Sequence, residues 1–264
     1  MSNLNENVVG QFNIGDTLAT TFNVLLKRFI PLNLLVFIFQ LPMLIWSISS
    51  GLFTASVENP EAVLNSFGDQ FVWIMIVSTI LSFASAAAVV YGVFLDITGR
   101  DINIGECLSK SLSVLVPVIL SGVLAYIIIL IGSVLLVVPG IFAAICFFVV
   151  IPVVVVERPG VFASLGRSAD LTKGNRWSIL GLFLIIMIVA IVLGFVSNFI
   201  TIFFVGTGLN VVAIVISTVV QVITTTFFLI VGAVTYSNLR NSKEANKIFL
   251  GLLLKRGNPE RALR

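Results

Sequence analysis

From Ser111 to Val156 the chain carries no charged side chain, and apolar residues dominate throughout that stretch. One transmembrane helix needs about 20 such residues, so the block is too long for a single crossing. Val138-Pro139-Gly140 marks the expected break, since proline cannot continue the helical ladder and glycine permits a tight turn. Extended along the chain, the same reasoning finds apolar stretches at 29–53, 71–95, 113–137, 140–156, 178–204 and 210–237. These predict an all-α integral membrane fold with six transmembrane helices. Gly206-Thr207-Gly208 separates the last two, and Pro152 predicts a kink in the fourth. Only 10% of the residues are charged, against roughly 25% in soluble proteins.

Charge placement gives the orientation. Lys27 and Arg28 precede the first span, and Arg100 and Lys110 lie between the second and third. Arg158, Arg167, Lys173 and Arg176 separate the fourth and fifth, and the remaining basic residues follow the sixth. All 15 Lys and Arg residues therefore fall on one side, facing Glu58, Glu61 and Asp69 on the other. Positive residues favour the cytoplasmic side, so N- and C-termini are expected inside. An odd number of spans would spoil this partition. Residues 1–28 contain Glu6 and Asp16, and the run that follows exceeds the 7–15 residues of a signal-peptide core, so it reads as the first span.

Basic residues that flank apolar runs do not form a nucleic-acid-binding face, and no nucleic acid is expected as a partner. The chain has no histidine, which excludes imidazole-dependent acid–base, nucleophilic and metal chemistry. Cys107 and Cys146 fall in an inner loop and a span, so they form neither a disulfide nor a metal motif. No cofactor and no metal are expected.

The inner segments resemble one another. Asn13-Ile14-Gly15-Asp16-Thr17-Leu18 recurs as Asn103-Ile104-Gly105-Glu106-Cys107-Leu108. Each opens on a capping Asn with an acid three residues later, a capping-box pattern. The apolar stripe Ile14, Leu18, Phe22 and Leu25 parallels Ile104, Leu108, Leu112 and Leu115, and a weaker copy runs through Val161, Leu165, Ala169 and Thr172. The expected organisation is one polytopic domain over 1–264. It comprises three units of interfacial amphipathic helix plus hairpin (1–95, 96–156 and 157–237) and a basic tail over 238–264. Chance likeness between interfacial helices is the competing reading. Within the tail, Lys243, Lys247, Lys255 and Arg256 flank Ile248, Phe249 and Leu252 to Leu254, a pattern suited to anionic lipid headgroups.

Candidate sites lie at the inner face and within the spans. Arg158, Arg167, Lys173 and Arg176, with Trp177, are candidate lipid-headgroup or anion contacts. The same residue types also set topology and anchor helices. Glu157 is placed to bridge one of these arginines. No Asp, Glu, Lys or Arg falls inside the expected spans, which argues against a proton-coupled pump. Asn198 and Gln221 are the candidate interior polar residues, with Gln40, the Ser78–Ser82–Ala86 stripe and Thr224 to Thr226 as milder polar groups.

One run carries a family resemblance. Pro139-Gly140-Ile141, Pro152-Val153, Glu157 and Leu165-Gly166-Arg167-Ser168 lead into Leu171-Thr172-Lys173-Gly174, Arg176-Trp177 and Leu180-Gly181. This pattern resembles the membrane-domain family of glycerophosphodiester phosphodiesterases. The resemblance implies the membrane part alone, in a bacterial cytoplasmic membrane. Members that hydrolyse carry a separate soluble barrel with catalytic histidines and a metal, which has no counterpart in this chain. The expected function is a multi-pass membrane protein without catalysis: a scaffold, accessory subunit or membrane-organising factor, with the bilayer and a membrane protein as partners. The alternative is a carrier or binding module for a lipid or other amphiphile, and a lipid-acting enzyme ranks last.

Overall fold

A computed structural model describes residues 12–50, 69–205 and 209–257, and among these it is 90% helical with no strand. The helices are α1 (Ile14–Lys27), α2 (Phe29–Ser50), α3 (Asp69–Ile97), α4 (Ile104–Ser113), α5 (Leu115–Leu135), α6 (Val137–Phe147), α7 (Val150–Val156), α8 (Val161–Thr172), α9 (Arg176–Val205) and α10 (Asn210–Gly257). Six segments are long and apolar enough to cross a membrane: Phe29–Ser49, Val72–Ile97, Leu115–Leu135, Val137–Val156, Arg176–Phe204 and Val211–Ala245. Their outward faces carry large apolar side chains such as Val134, Leu135, Phe195, Phe199 and Ile202. A water-facing surface rarely exposes so much contiguous apolar area.

The long helices converge on α3, which touches α2, α4, α5, α7 and α10. Its run Ala84-Ser85-Ala86-Ala87-Ala88 is buried on every side together with Val89 and Val90. Small side chains let neighbouring backbones approach closely from several directions, the usual device where lipid supplies no hydrophobic drive between helices.

Three short helices precede the three pairs of long helical segments, and they are seated in one way. Asn13 caps α1, its side-chain oxygen accepting from the Gly15 N–H at 2.9 Å. Asn103 caps α4 by accepting from the Glu106 N–H at 3.2 Å. Glycine caps α8 instead: Gly160 has φ 98°, a left-handed value open to a residue without Cβ. Counting from each cap, the fourth and eighth residues are fully buried: Thr17 and Thr21, Cys107 and Ser111, Ser164 and Ser168. The apolar stripe of these helices lies partly outward, with Phe22 at 51% and Leu112 at 62% exposure, while Leu25 is buried. A small hydroxyl or thiol every helical turn permits a close seat against the span ends, which a phenyl or isobutyl group would hold apart. The acids also depart from a full capping box. Glu106 accepts from the Tyr91 hydroxyl at 2.6 Å and sits 3.4 Å from the Arg100 guanidinium rather than reaching back to its cap.

Three boundaries differ from the sequence expectation. The third and fourth spans divide at Leu136 (φ −160°, ψ 143°), and Pro139 falls in the first turn of α6. A proline there costs nothing, because N–H groups of the first turn lack helical partners anyway. The kink attributed to Pro152 is a break four residues earlier, at Phe148–Val149. The proline ring collides with the carbonyl four residues before it, which here belongs to Phe148. Ser168 on α8 compensates by donating to the neighbouring Cys146 carbonyl at 2.8 Å. Finally, α10 does not end at 237 but continues as one helix to Gly257, because no proline or glycine interrupts 233–250. The basic tail thus extends the last span. Its side chains from residue 246 onward, and the Gly206-Thr207-Gly208 turn, lie outside the described residues.

Candidate functional site

Charged and tyrosyl side chains gather at one end of the bundle. Arg28, at the C-cap of α1, donates to Asp96 at 2.7 Å and to Asp101 at 3.0 Å, and Lys27 lies 3.6 Å from Asp96. Those carboxylates, Asp96 first, hold the Arg28 guanidinium above its ordinary value. Glu157, just past α7, accepts twice from Arg167 (2.9 and 3.2 Å) and once from the Tyr236 hydroxyl at 2.9 Å. This cluster ties α7, α8 and α10 together. The hydrogen bonds to Glu157 raise the Arg167 pKa. Sequence reasoning found the Glu157–arginine bridge; Tyr236, 79 positions from Glu157, carries no local signal.

The other inner candidates do not converge. Arg158 takes a positive φ of 52° and donates to Ser113 at 3.3 Å. Lys173 is exposed at the C-cap of α8. The Arg176 guanidinium stacks 4.4 Å from the Phe142 ring centre while its buried Nε has no partner. Trp177 is 85% exposed. Cys107 sits under α3, and burial, with Glu106 adding to it, pushes its thiol up to about 11. At pH 8 roughly one such thiol in a thousand is ionised. In the folded protein Cys107 should therefore resist iodoacetamide at pH 8 and react only after unfolding. Intact-mass measurement checks this, and rapid labelling of folded protein would contradict it.

The interior polar candidates part company. Asn198 is exposed on α9 and donates to the Gly194 carbonyl of its own helix at 2.9 Å, so it faces outward. Gln221, though itself exposed, lines a half-open chamber of about 440 Å³ between α2, α3 and α10. Gln40 and Ser47 contribute from α2, Ser78, Ser82 and Ser85 from α3, and Ser217, Thr218 and Gln221 from α10. At 1.5 Å per residue, Gln40 lies roughly 17 Å along α2 from its charged end, so the chamber occupies the half of the bundle away from the ion pairs. Among the described residues its lining includes no charged side chain.

Residues 61–239 match the family described as Domain of unknown function (DUF7847). The chain belongs to this family. The matched stretch contains the whole Glu157–Arg167–Tyr236 cluster and two of the three chamber walls, while α1 and α2 precede it. No curated protein and no solved structure matches the chain.

Proposed function

We propose that this is a multi-pass protein of the bacterial cytoplasmic membrane, both termini inside, which binds an amphiphile without transforming it. The observation that carries this reading is the chamber: eight uncharged polar side chains around about 440 Å³, within helices otherwise suited to lipid. Serines and threonines also serve close helix packing, but packing leaves no open volume, whereas a pocket of 300–1,000 Å³ is the usual size for a small ligand. The one-sided distribution of the 15 basic residues supports the orientation. The matched burial four and eight residues after each cap supports a threefold internal repeat, with the chamber between the first and third hairpins. Arg158, Lys173, Arg176 and Trp177 would then meet anionic headgroups of the inner leaflet, while Arg167 is engaged by Glu157. The resemblance of the Pro139-to-Gly181 run to phosphodiesterase membrane domains agrees with this setting.

A second reading, an accessory subunit docking a partner helix, draws on an apolar groove lined by Pro42, Trp46, Trp73 and Val77. Native mass spectrometry of the gently extracted protein separates the two. The amphiphile reading expects one co-purified small molecule per chain. Recovery of the chain with a stoichiometric protein and no small molecule would replace it with the second.

A further inference from the structure

Resting on the amphiphile-binding reading, we propose that the ligand's headgroup is an uncharged polyol held in the α2–α3–α10 chamber, with its acyl chain in the apolar groove alongside. Five of the chamber's six hydroxyls already donate to a carbonyl of their own helix. Ser78 donates to the Met75 carbonyl at 3.0 Å, Ser82 to the Ser78 carbonyl at 2.7 Å and Ser85 to the Ser82 carbonyl at 2.9 Å. On α10, Ser217 and Thr218 donate to the Ile214 carbonyl at 2.9 and 2.8 Å. While those bonds hold, each such oxygen keeps lone pairs that accept from a ligand. Gln40 and Gln221, which have no hydrogen-bond partner among the described residues, add a carbonyl and an amide each. The wall is thus rich in acceptors and asks for a ligand rich in donors, which the hydroxyls of a glycerol or sugar headgroup supply.

Charge decides against the alternatives. No Lys or Arg among the described residues lines the chamber, so a phosphate or carboxylate drawn in from water would lack a counter-charge. An ammonium would find acceptors but no carboxylate among the described residues. Burying an unpaired charge costs several kcal/mol, more than a few neutral hydrogen bonds at about 1 kcal/mol each return.

The groove supplies the other half of the amphiphile. It measures about 460 Å³ and is walled by Pro42, Met43, Trp46, Trp73, Ile74 and Val77 on α2 and α3. Met43 lines both spaces, so chamber and groove adjoin at one thioether, the most adaptable of apolar side chains. Because lipid tails are as apolar as the groove, the tail gains little there. Selectivity rests with the headgroup.

The test uses the full chain in phosphatidylcholine nanodiscs with three oleoyl probes: monooleoylglycerol, oleoyl lysophosphatidate and oleoylcholine, and free glycerol as a fourth. Binding is read by native mass spectrometry for the wild type and for the Gln40→Leu/Gln221→Leu variant, whose unfolding midpoint serves as the folding control. Monooleoylglycerol should be retained, and the variant should lose about tenfold of that affinity while its midpoint stays within experimental error. Lysophosphatidate held at the charged end should be unaffected by the variant. Equal retention of monooleoylglycerol by the variant, or a variant-sensitive preference for a charged probe, overturns the polyol assignment and leaves amphiphile binding standing. Retention of free glycerol as tight as that of its oleoyl ester overturns the two-part site. Failure of all three oleoyl probes removes amphiphile binding itself. Should the variant fail the folding control, Ser217→Ala with Thr218→Val replaces it, with the same expectations.

Discussion

Gly140→Ala will unfold the protein well below the wild-type midpoint, at a cost of about 3 kcal/mol, the upper end for overpacking a fitted core. The α5–α6 turn brings Gly140 against Ser133, so that an added Cβ would meet the Ser133 Cα and Cβ at 2.8 Å. Gly132 is tight but less constrained, its hypothetical Cβ lying 3.2 Å from the Gly140 Cα. Two backbones in contact cannot yield by a rotamer change; the helices must part. Thermal unfolding in mild detergent measures the loss. Adding Ser133→Gly should recover part of it, since this removes the Cβ and hydroxyl but not the Cα. A Gly140→Ala variant as stable as the wild type would mean that the two helices do not meet this closely.

Arg167→Gln carries the second largest expected effect, about 2 kcal/mol. Glu157 is 20% and Arg167 29% exposed at the side chain, so the pair is neither a screened surface bridge nor fully buried. Charge-assisted hydrogen bonds contribute roughly 1.5–3 kcal/mol, and Arg167 supplies two of the three that Glu157 accepts. The substitution leaves a partly desolvated carboxylate with Tyr236 alone. Most of the loss is that stranded charge rather than the bridge itself. Adding Glu157→Gln should therefore recover at least half of the stability, and a double variant no better than Arg167→Gln would refute this account.

The apolar spans were legible because lipid solvent imposes length and composition directly: six stretches of about 20 residues with charges only between them. The capping asparagines were legible for a local reason, since Asn13 and Asn103 act within one turn. What escaped sequence reasoning depended on neighbours far along the chain. On α1, Thr17 and Thr21 are buried beside Val24 and Leu25 while Phe22 is exposed, because the closest approach selects small residues where periodicity alone favours large ones. Pro139 read as a break yet opens a helix, since its effect depends on which turn it occupies. Gln40 and Gln221, 181 positions apart, gave no sign in sequence of lining one chamber, whereas Asn198 looked equivalent to them and faces outward. That chamber moves the amphiphile-binding reading ahead of the scaffold that composition alone favoured.

The side-chain bonds that join distant elements, Arg28 to Asp96, Arg167 and Tyr236 to Glu157, and Asn238 to Thr17 at 3.1 Å, share one end of the bundle. Such contacts resist shear, because each is directional and is lost when its partners slide. Apolar contacts between helices in lipid resist it little, because an acyl chain replaces whatever moves away. The bundle is therefore braced against sliding at this end, and the chamber lies in the other half, beyond those braces.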